Sequence, residues 1–394
     1  MIASHPYRDK SYGRQQEVAD LYDAFERGDN ISMHGPRRLG KTFLLDRLVD
    51  QAPERRWVAV KVELAGCTSA AMVFRELCSR LGERRSGGEQ AKAYLMQRLN
   101  QCLGASAQDG GPWYQAFVHL DHAQFLERLI RALDEDATRR WVLLIDELPI
   151  FLKALHDQGA AGVDAARQFM NQLIRMQQAC PRVRWLITGS IGIEPLARVG
   201  QYLGTLAKFR PFTLHPLPEG PAKDLVQDLA QEGKLMGRRC ITDDEADRLV
   251  AAVGWRSAFY LEALAQKLRG APSSDCDGAQ QAIDEAVARL LEPSEMATFG
   301  PWEEHIRKHY RDTECVVAFA VLNALATCPH GMDLSGLLAQ VGRPDLTQDA
   351  LLAVLQRLHI EGFVEVDNWA DDRPVSNFRN PLLKRWWQRY RPQP

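Results

Sequence analysis

The chain contains no apolar run near the roughly 18 residues that a membrane-spanning helix needs. It carries no export leader that we can read at its N-terminus, so a cytoplasmic protein with no membrane partner is expected. It also lacks a surplus of either charge: 49 Lys and Arg stand against 51 Asp and Glu, a formal net charge of −2. That balance excludes a global polycation for nucleic acid, and any such surface has to be local. The eight cysteines (67, 78, 102, 180, 240, 276, 315 and 328) include no C-x-x-C pair and no metal-ligand spacing. Most lie in apolar helical stretches, where cysteine is a small core residue, and reduced thiols are expected. What remains is ordinary globular usage, 45% hydrophobic and 25% charged over 394 residues, enough for two or three domains.

One short run departs from the ordinary. Residues 34–42, His-Gly-Pro-Arg-Arg-Leu-Gly-Lys-Thr, fit the phosphate-loop pattern G-x-x-x-x-G-K-[ST] with Gly35, Gly40, Lys41 and Thr42 in place. The glycines let the backbone curl until successive N–H groups point at nucleotide phosphates. Lys41 is positioned for the β- and γ-phosphates, and the Thr42 hydroxyl is a ligand for Mg²⁺. A short strand before the loop and a helix from Phe43 to Val49 complete the context, because a helix N-terminus favours an anion. Pro36, Arg37, Arg38, Leu39 and Phe43 complete the nucleotide-contacting set.

A nucleotide hydrolase needs a second motif, and residues 141–147, Trp-Val-Leu-Leu-Ile-Asp-Glu, supply one. An apolar run without alternation fits a central parallel strand buried on both faces, whose C-terminal end is where such sheets bind ligands. Asp146 there is expected to hold Mg²⁺ and Glu147 to act as general base toward water. The bland alternative is two acids opening a helix before Pro149. A third apolar run, 183–190, ends in Thr188 and Ser190; either could orient the water or sense the γ-phosphate, or merely close a turn. Strands alternating with helices at 14–27, 122–135 and 163–180 imply a parallel sheet with helices on both faces.

With residues 12–17, 35–42, 144–147 and 187–190 in this order, the chain resembles the archaeal-type ATPases, between the STAND class and the origin-recognition AAA+ class. The resemblance covers about residues 6–290, and the Gly-Pro-Arg-Arg form of the loop is its most specific part. It implies an α/β P-loop NTPase core of the additional-strand type (1–215), a helical lid (216–310) and a winged-helix domain (311–394). It also implies ATP and Mg²⁺ as cofactors, and Tyr12, Gly13 and Arg14 against the adenine.

Downstream, an arginine reaching the γ-phosphate of a neighbouring subunit would make a homo-oligomer the working form; Arg210 is the first candidate and Arg198 the second. Relatives place a Gly-x-Pro element at the second lid helix. Ser257 occupies that proline's position here, which weakens Arg256 as a nucleotide sensor. The stretch 82–113 reads as a turn-rich exposed insertion with one helix near 91–102. Beyond Arg311 the order helix, helix, turn, helix, strand, strand is that of a winged helix. Its third helix offers only Gln348, Gln356, Arg357 and His359 to DNA, and residues 305–394 hold 11 Lys and Arg against 10 Asp and Glu. Double-stranded DNA and an unknown protein partner both stay open. The terminal aromatics favour packing of the last helix on its own domain.

Overall fold

The computed structural model describes residues 12–83, 122–231, 240–269, 276–367 and 375–391. Nearly all of the expected insertion at 82–113, including its helix at 91–102, lies outside them. So do most of the 270–278 loop and the 371–374 connection. Packing divides the chain into two compact units, one of residues 1–35 and 41–214, the other of 36–40 and 215–394.

The first unit is a five-stranded parallel sheet, in the order β2-β3-β4-β1-β5, with helices around it. Its strands are β1 (Ile31–His34), β2 (Trp57–Glu63), β3 (Arg140–Asp146), β4 (Val183–Thr188) and β5 (Arg210–Thr213). Helix α1 (Gln15–Arg27) buries Val18, Leu21, Tyr22 and Phe25 and stops at Gly28, whose φ of 99° turns the chain toward β1. Helix α2 (Lys41–Gln51) follows the phosphate loop. Helix α3 (Ala70–Glu83) opens at Ser69, whose Oγ accepts the Met72 N–H at 3.3 Å.

Helix α4 (His122–Asp134) leads to β3 through a turn held by Asp136. The Asp136 carboxylate accepts from the Thr138 N–H at 2.9 Å, the Thr138 hydroxyl at 2.7 Å and the Trp141 indole at 3.2 Å. From Trp141 to Ile145 the strand is wholly buried, as an uninterrupted apolar run requires. Helices α5 (Leu148–His156) and α6 (Ala160–Ala179) return the chain to β4, and α7 (Glu194–Val199) and α8 (Leu203–Leu206) return it to β5.

The second unit opens with α9 (Glu219–Gln231), α10 (Asp243–Val253), α11 (Ala258–Ala265), α12 (Cys276–Leu290) and α13 (Met296–His309). Thr242 and Glu245 form a complete capping box on α10. The C-terminal stretch follows the expected helix-helix-helix-strand-strand order: α14 (Asp312–Thr327), α15 (Leu334–Val341), α16 (Gln348–Glu361), β7 (Val364–Asp367) and β8 (Val375–Phe378). A two-residue strand, β6 (Met332–Asp333), joins them in an antiparallel sheet of order β6-β8-β7. Helix α17 (Pro381–Tyr390) closes the fold. Trp386 and Trp387 are buried in this unit, and the Lys384 ammonium donates to the Cys328 carbonyl at 2.6 Å and to Asn377 Oδ1 at 3.0 Å. The aromatics of the last helix are therefore packing residues, as expected. Among the described residues, no helix is long and apolar enough to cross a membrane.

His359, near the end of α16, faces Arg379, whose Nη2 lies 3.2 Å from Nδ1. Arginine can only donate, so Nδ1 presents its lone pair and the ring is neutral. Burial, aided by the Arg379 charge, lowers the His359 pKa to about 4. The unfolded chain then binds the extra proton first. Stability from this group is complete above about pH 6.5 and is lost as the pH falls toward 4. After discounting for partial exposure the loss is about 1–2 kcal/mol. Urea titrations at pH 7 and pH 4.5 should show a smaller pH penalty for His359→Gln than for wild type; equal penalties would contradict this.

Candidate functional site

The register of the sheet decides which motif residues meet. Met33 on β1 is level with Thr188 on β4, Ile187 is level with Ile145, and Asp146 is level with Glu63. The C-terminal ends of β1, β3 and β4 thus arrive at one edge, where the chain leaves β1 for the loop. There the Thr42 hydroxyl donates to Asp146 Oδ2 at 3.0 Å, joining two residues 104 positions apart. Asp146 is 2% exposed, and its Oδ1 accepts the Glu147 N–H at 3.1 Å. The Lys41 ammonium is buried, 2.5 Å from the Gly35 carbonyl, bent back along its own loop.

Glu147 is the hinge between β3 and α5. Its φ of 58° is in the left-handed region, and its carboxylate Oε2 accepts from both the N–H and the hydroxyl of Ser190, each at 2.9 Å. Gly189 permits this approach: a Cβ there would lie 2.4 Å from Pro149 Cδ. The two hydroxyls of the third motif separate clearly. Thr188 is buried and donates to the Met33 carbonyl at 2.9 Å, tying β4 to β1, whereas Ser190 donates to Glu147. A helix does start at Leu148, so the bland alternative also describes the local structure, with Pro149 in its first turn.

The remaining expected residues fall in several places. Gly40 has a φ of 96° in open space, so its lack of a side chain serves backbone conformation. Phe43 is half-buried in the first turn of α2. Tyr12 and Gly13 form the turn before α1, and the buried Arg14 pairs with Glu17 at 2.5 Å. Arg210 is not brought to the loop. It is level with Ile31, at the opposite end of β1 from Gly35, and pairs with Asp29 at 2.9 Å. Arg198, the second candidate, is exposed on α7, whose first residue Glu194 lies 3.7 Å from His34. The His34–Glu194 pair was not foreseen, since nothing in the local pattern joins the end of β1 to the start of α7.

The loop tip, residues 36–40, packs within the second unit. Ser257 Oγ donates to the Arg38 carbonyl at 2.5 Å, and the Arg38 guanidinium lies 3.8 Å from the Phe259 ring centroid. Burial lowers the Arg38 pKa, with a smaller contribution of the same sign from Arg37. Ser257, noticed in the sequence only as a missing proline, is thus a holder of the loop backbone. Arg256 donates from Nε to the Leu217 carbonyl at 2.8 Å and so clips the segment entering α9.

Two hydroxyl substitutions should behave differently. Thr188→Val removes the donor from a buried carbonyl and is expected to cost about 1–3 kcal/mol in denaturant unfolding. Ser190→Ala is expected to leave stability nearly unchanged and to lower turnover about tenfold, as loss of one positioning hydrogen bond implies. Loss of stability in Ser190→Ala with normal turnover would reverse the assignment.

Residues 26–196 match the family model described as an AAA domain. In structure the chain is similar to the Walker-type ATPase PABY2304 of Pyrococcus abyssi, with a TM-score of 0.65 at 15% identity over 98% of each chain. It is also similar to the ORC2 protein of Aeropyrum pernix in its ADPNP-ADP complexes, with a TM-score of 0.50 at 12% identity over 95% of this chain and 91% of that one. No curated protein matches in sequence. Family match, parallel sheet and loop agree: residues 26–196 match an AAA domain, and the chain has the fold of a P-loop NTPase.

Proposed function

We propose that the protein binds and hydrolyses Mg²⁺-ATP in the cytoplasm and uses the nucleotide state to control a partner through its C-terminal winged helix. The observation that carries the first half is the convergence of Thr42, Asp146, Glu147 and Ser190 at one sheet edge. The donor set suits a hard cation: one hydroxyl and one carboxylate, both oxygen, with phosphate oxygens left to complete the shell. Among the described residues there is no cluster of three or more His, Cys, Asp or Glu to compete for it. Bound between Thr42 and Asp146, Mg²⁺ would neutralise charge on the phosphates. Lys41 turns from the Gly35 carbonyl to the β- and γ-phosphates. Glu147 accepts the proton of the attacking water, and Ser190 holds that carboxylate in place. Tyr12, Gly13 and Arg14 receive the adenine, and residues 1–215, 216–310 and 311–394 serve as core, lid and winged helix. If an arginine acts in trans within a homo-oligomer, Arg210 and Arg198, both exposed, are the candidates.

The choice of partner follows from α16. Its outward residues include Gln348, Asp349, Ala353, Gln356 and Ile360, with no cation among these five. Arg357 instead turns inward to Glu361 and Glu314, and His359 is drawn to Arg379. A helix that spends its arginine internally has little with which to release counterions from DNA. A protein partner is therefore the favoured reading, and DNA the second.

Three measurements test this. Lys41→Ala should abolish ATP binding in calorimetry, and unchanged affinity would refute the loop assignment. Glu147→Gln should bind ATP normally yet turn over at least about a hundredfold more slowly, since an amide cannot take the proton. Duplex DNA titrated at 50 and 200 mM salt should bind weakly, with a shallow salt slope; a slope near that of six or more phosphate contacts would restore the DNA reading.

A further inference from the structure

The loop tip has a second attachment that the ATPase reading leaves unused. Arg37 Nη1 donates to the Pro301 carbonyl at 3.2 Å and lies 2.9 Å from His305 Nδ1 on α13. A guanidinium carries no acceptor, so Nδ1 must offer its lone pair and the ring proton must sit on Nε2. Nε2 lies 2.9 Å from Glu361 Oε2, at the end of α16, and both side chains are 1% exposed. Glu361 Oε1 in turn accepts from Arg357 Nε at 3.1 Å, and Arg357 reaches Glu314 at 2.8 Å and the His309 carbonyl at 2.7 Å. Burial alone would raise the Glu361 pKa. The His305 hydrogen bond and the Arg357 charge outweigh it, and the group stays ionised. The turn after α16 also meets the tip: Gly362 has a φ of 89°, and a Cβ there would lie 2.2 Å from Pro36 Cβ. Only glycine allows that approach.

The chain of contacts runs from a phosphate-loop arginine, through one imidazole tautomer, to the carboxylate that ends α16. We propose that His305, oriented by Glu361, is a positioning residue that engages Arg37 and so restrains nucleotide binding, with α16 as the element whose movement releases the restraint. This rests on the reading of residues 35–42 as the ATP site. An Arg37 side chain held through Nη1 by the Pro301 carbonyl and Nδ1 is restrained from turning toward phosphate, and ATP competes with those contacts. By reciprocity, a partner that draws α16 and Glu361 away frees Arg37 and tightens ATP binding.

The test uses full-length protein and a fluorescent ATP analogue in equilibrium titrations. In His305→Gln the side-chain amide can still donate to Glu361 but offers no acceptor where Nδ1 stood; affinity should rise about tenfold. In His305→Asn the amide oxygen takes the place of Nδ1, and affinity should stay at the wild-type value. In an Arg37→Ala background, His305→Gln should change nothing. A merely structural role predicts the same shift in both backgrounds, and that result overturns the proposal, as does weaker or unchanged affinity in His305→Gln. Wild-type protein that fails to bind the analogue at all would refute the parent reading of the site as well. Binding with no response to His305→Gln would refute this inference alone.

Discussion

Parallel strands that end at one edge are the condition on which everything else in the first unit depends. The loop leaves β1, the carboxylate pair leaves β3 and the small hydroxyls leave β4, so the register among these strands decides whether Thr42 can meet Asp146. Burial enforces the register. Trp141 to Ile145 and Trp185 to Ile187 are almost wholly inaccessible, and a slip of one residue would turn each strand's side chains to the opposite face. The Thr188 bond to the Met33 carbonyl and the Asn30 side-chain bond to the Trp185 N–H at 2.8 Å fix the same alignment locally. The geometry of the site is therefore set by core packing rather than by the loop alone.

Much of this was legible in the residues because it is written locally. A phosphate loop has fixed spacing, a doubly buried strand is apolar without alternation, and α10, α15 and β2 have the bounds that their caps and patterns suggest. Less could be read wherever a partner is distant in sequence. Thr188 and Ser190 are both small hydroxyls after a strand, and only the fold shows that one is consumed by β1 while the other faces Glu147. Arg210 opens β5 level with Ile31 and pairs there with Asp29, a partner 181 positions away that no local pattern announces. The helices α9, α12 and α13 escaped notice because the stretch between the sheet and the C-terminal elements carries no motif. The His305–Glu361 pair spans 56 positions and has no local signal at all.

The second unit shows how an even charge balance can conceal specific use. Arg357 and Glu361 would count as surface charge in a composition; both are drawn into a polar cluster that also includes Glu314 and the Tyr310 ring, 3.9 Å from the Arg357 guanidinium. Charges are costly to bury unless paired, and here successive hydrogen bonds join His305, Glu361, Arg357 and Glu314. The same economy applies to α17, whose lysine caps the carbonyls of a neighbouring turn while its indoles fill the core. Arg357 and Lys384 are thereby spent on cohesion, while Arg385, Arg389 and Arg391 stay exposed.

The left-handed backbone of Glu147 has a corollary for substitution. A non-glycine residue at a φ of 58° carries a conformational penalty of about 1–2 kcal/mol. Asparagine or glycine at that position would relax the backbone but give up the two hydrogen bonds that Ser190 donates to the carboxylate. A glutamate held at this φ keeps its carboxylate where the Ser190 N–H and hydroxyl both donate to it, so strain and hydrogen bonding are set against each other at one residue. β-Branched residues fit this φ worst, so the position tolerates mainly glycine, asparagine or a residue whose side chain is held as this carboxylate is.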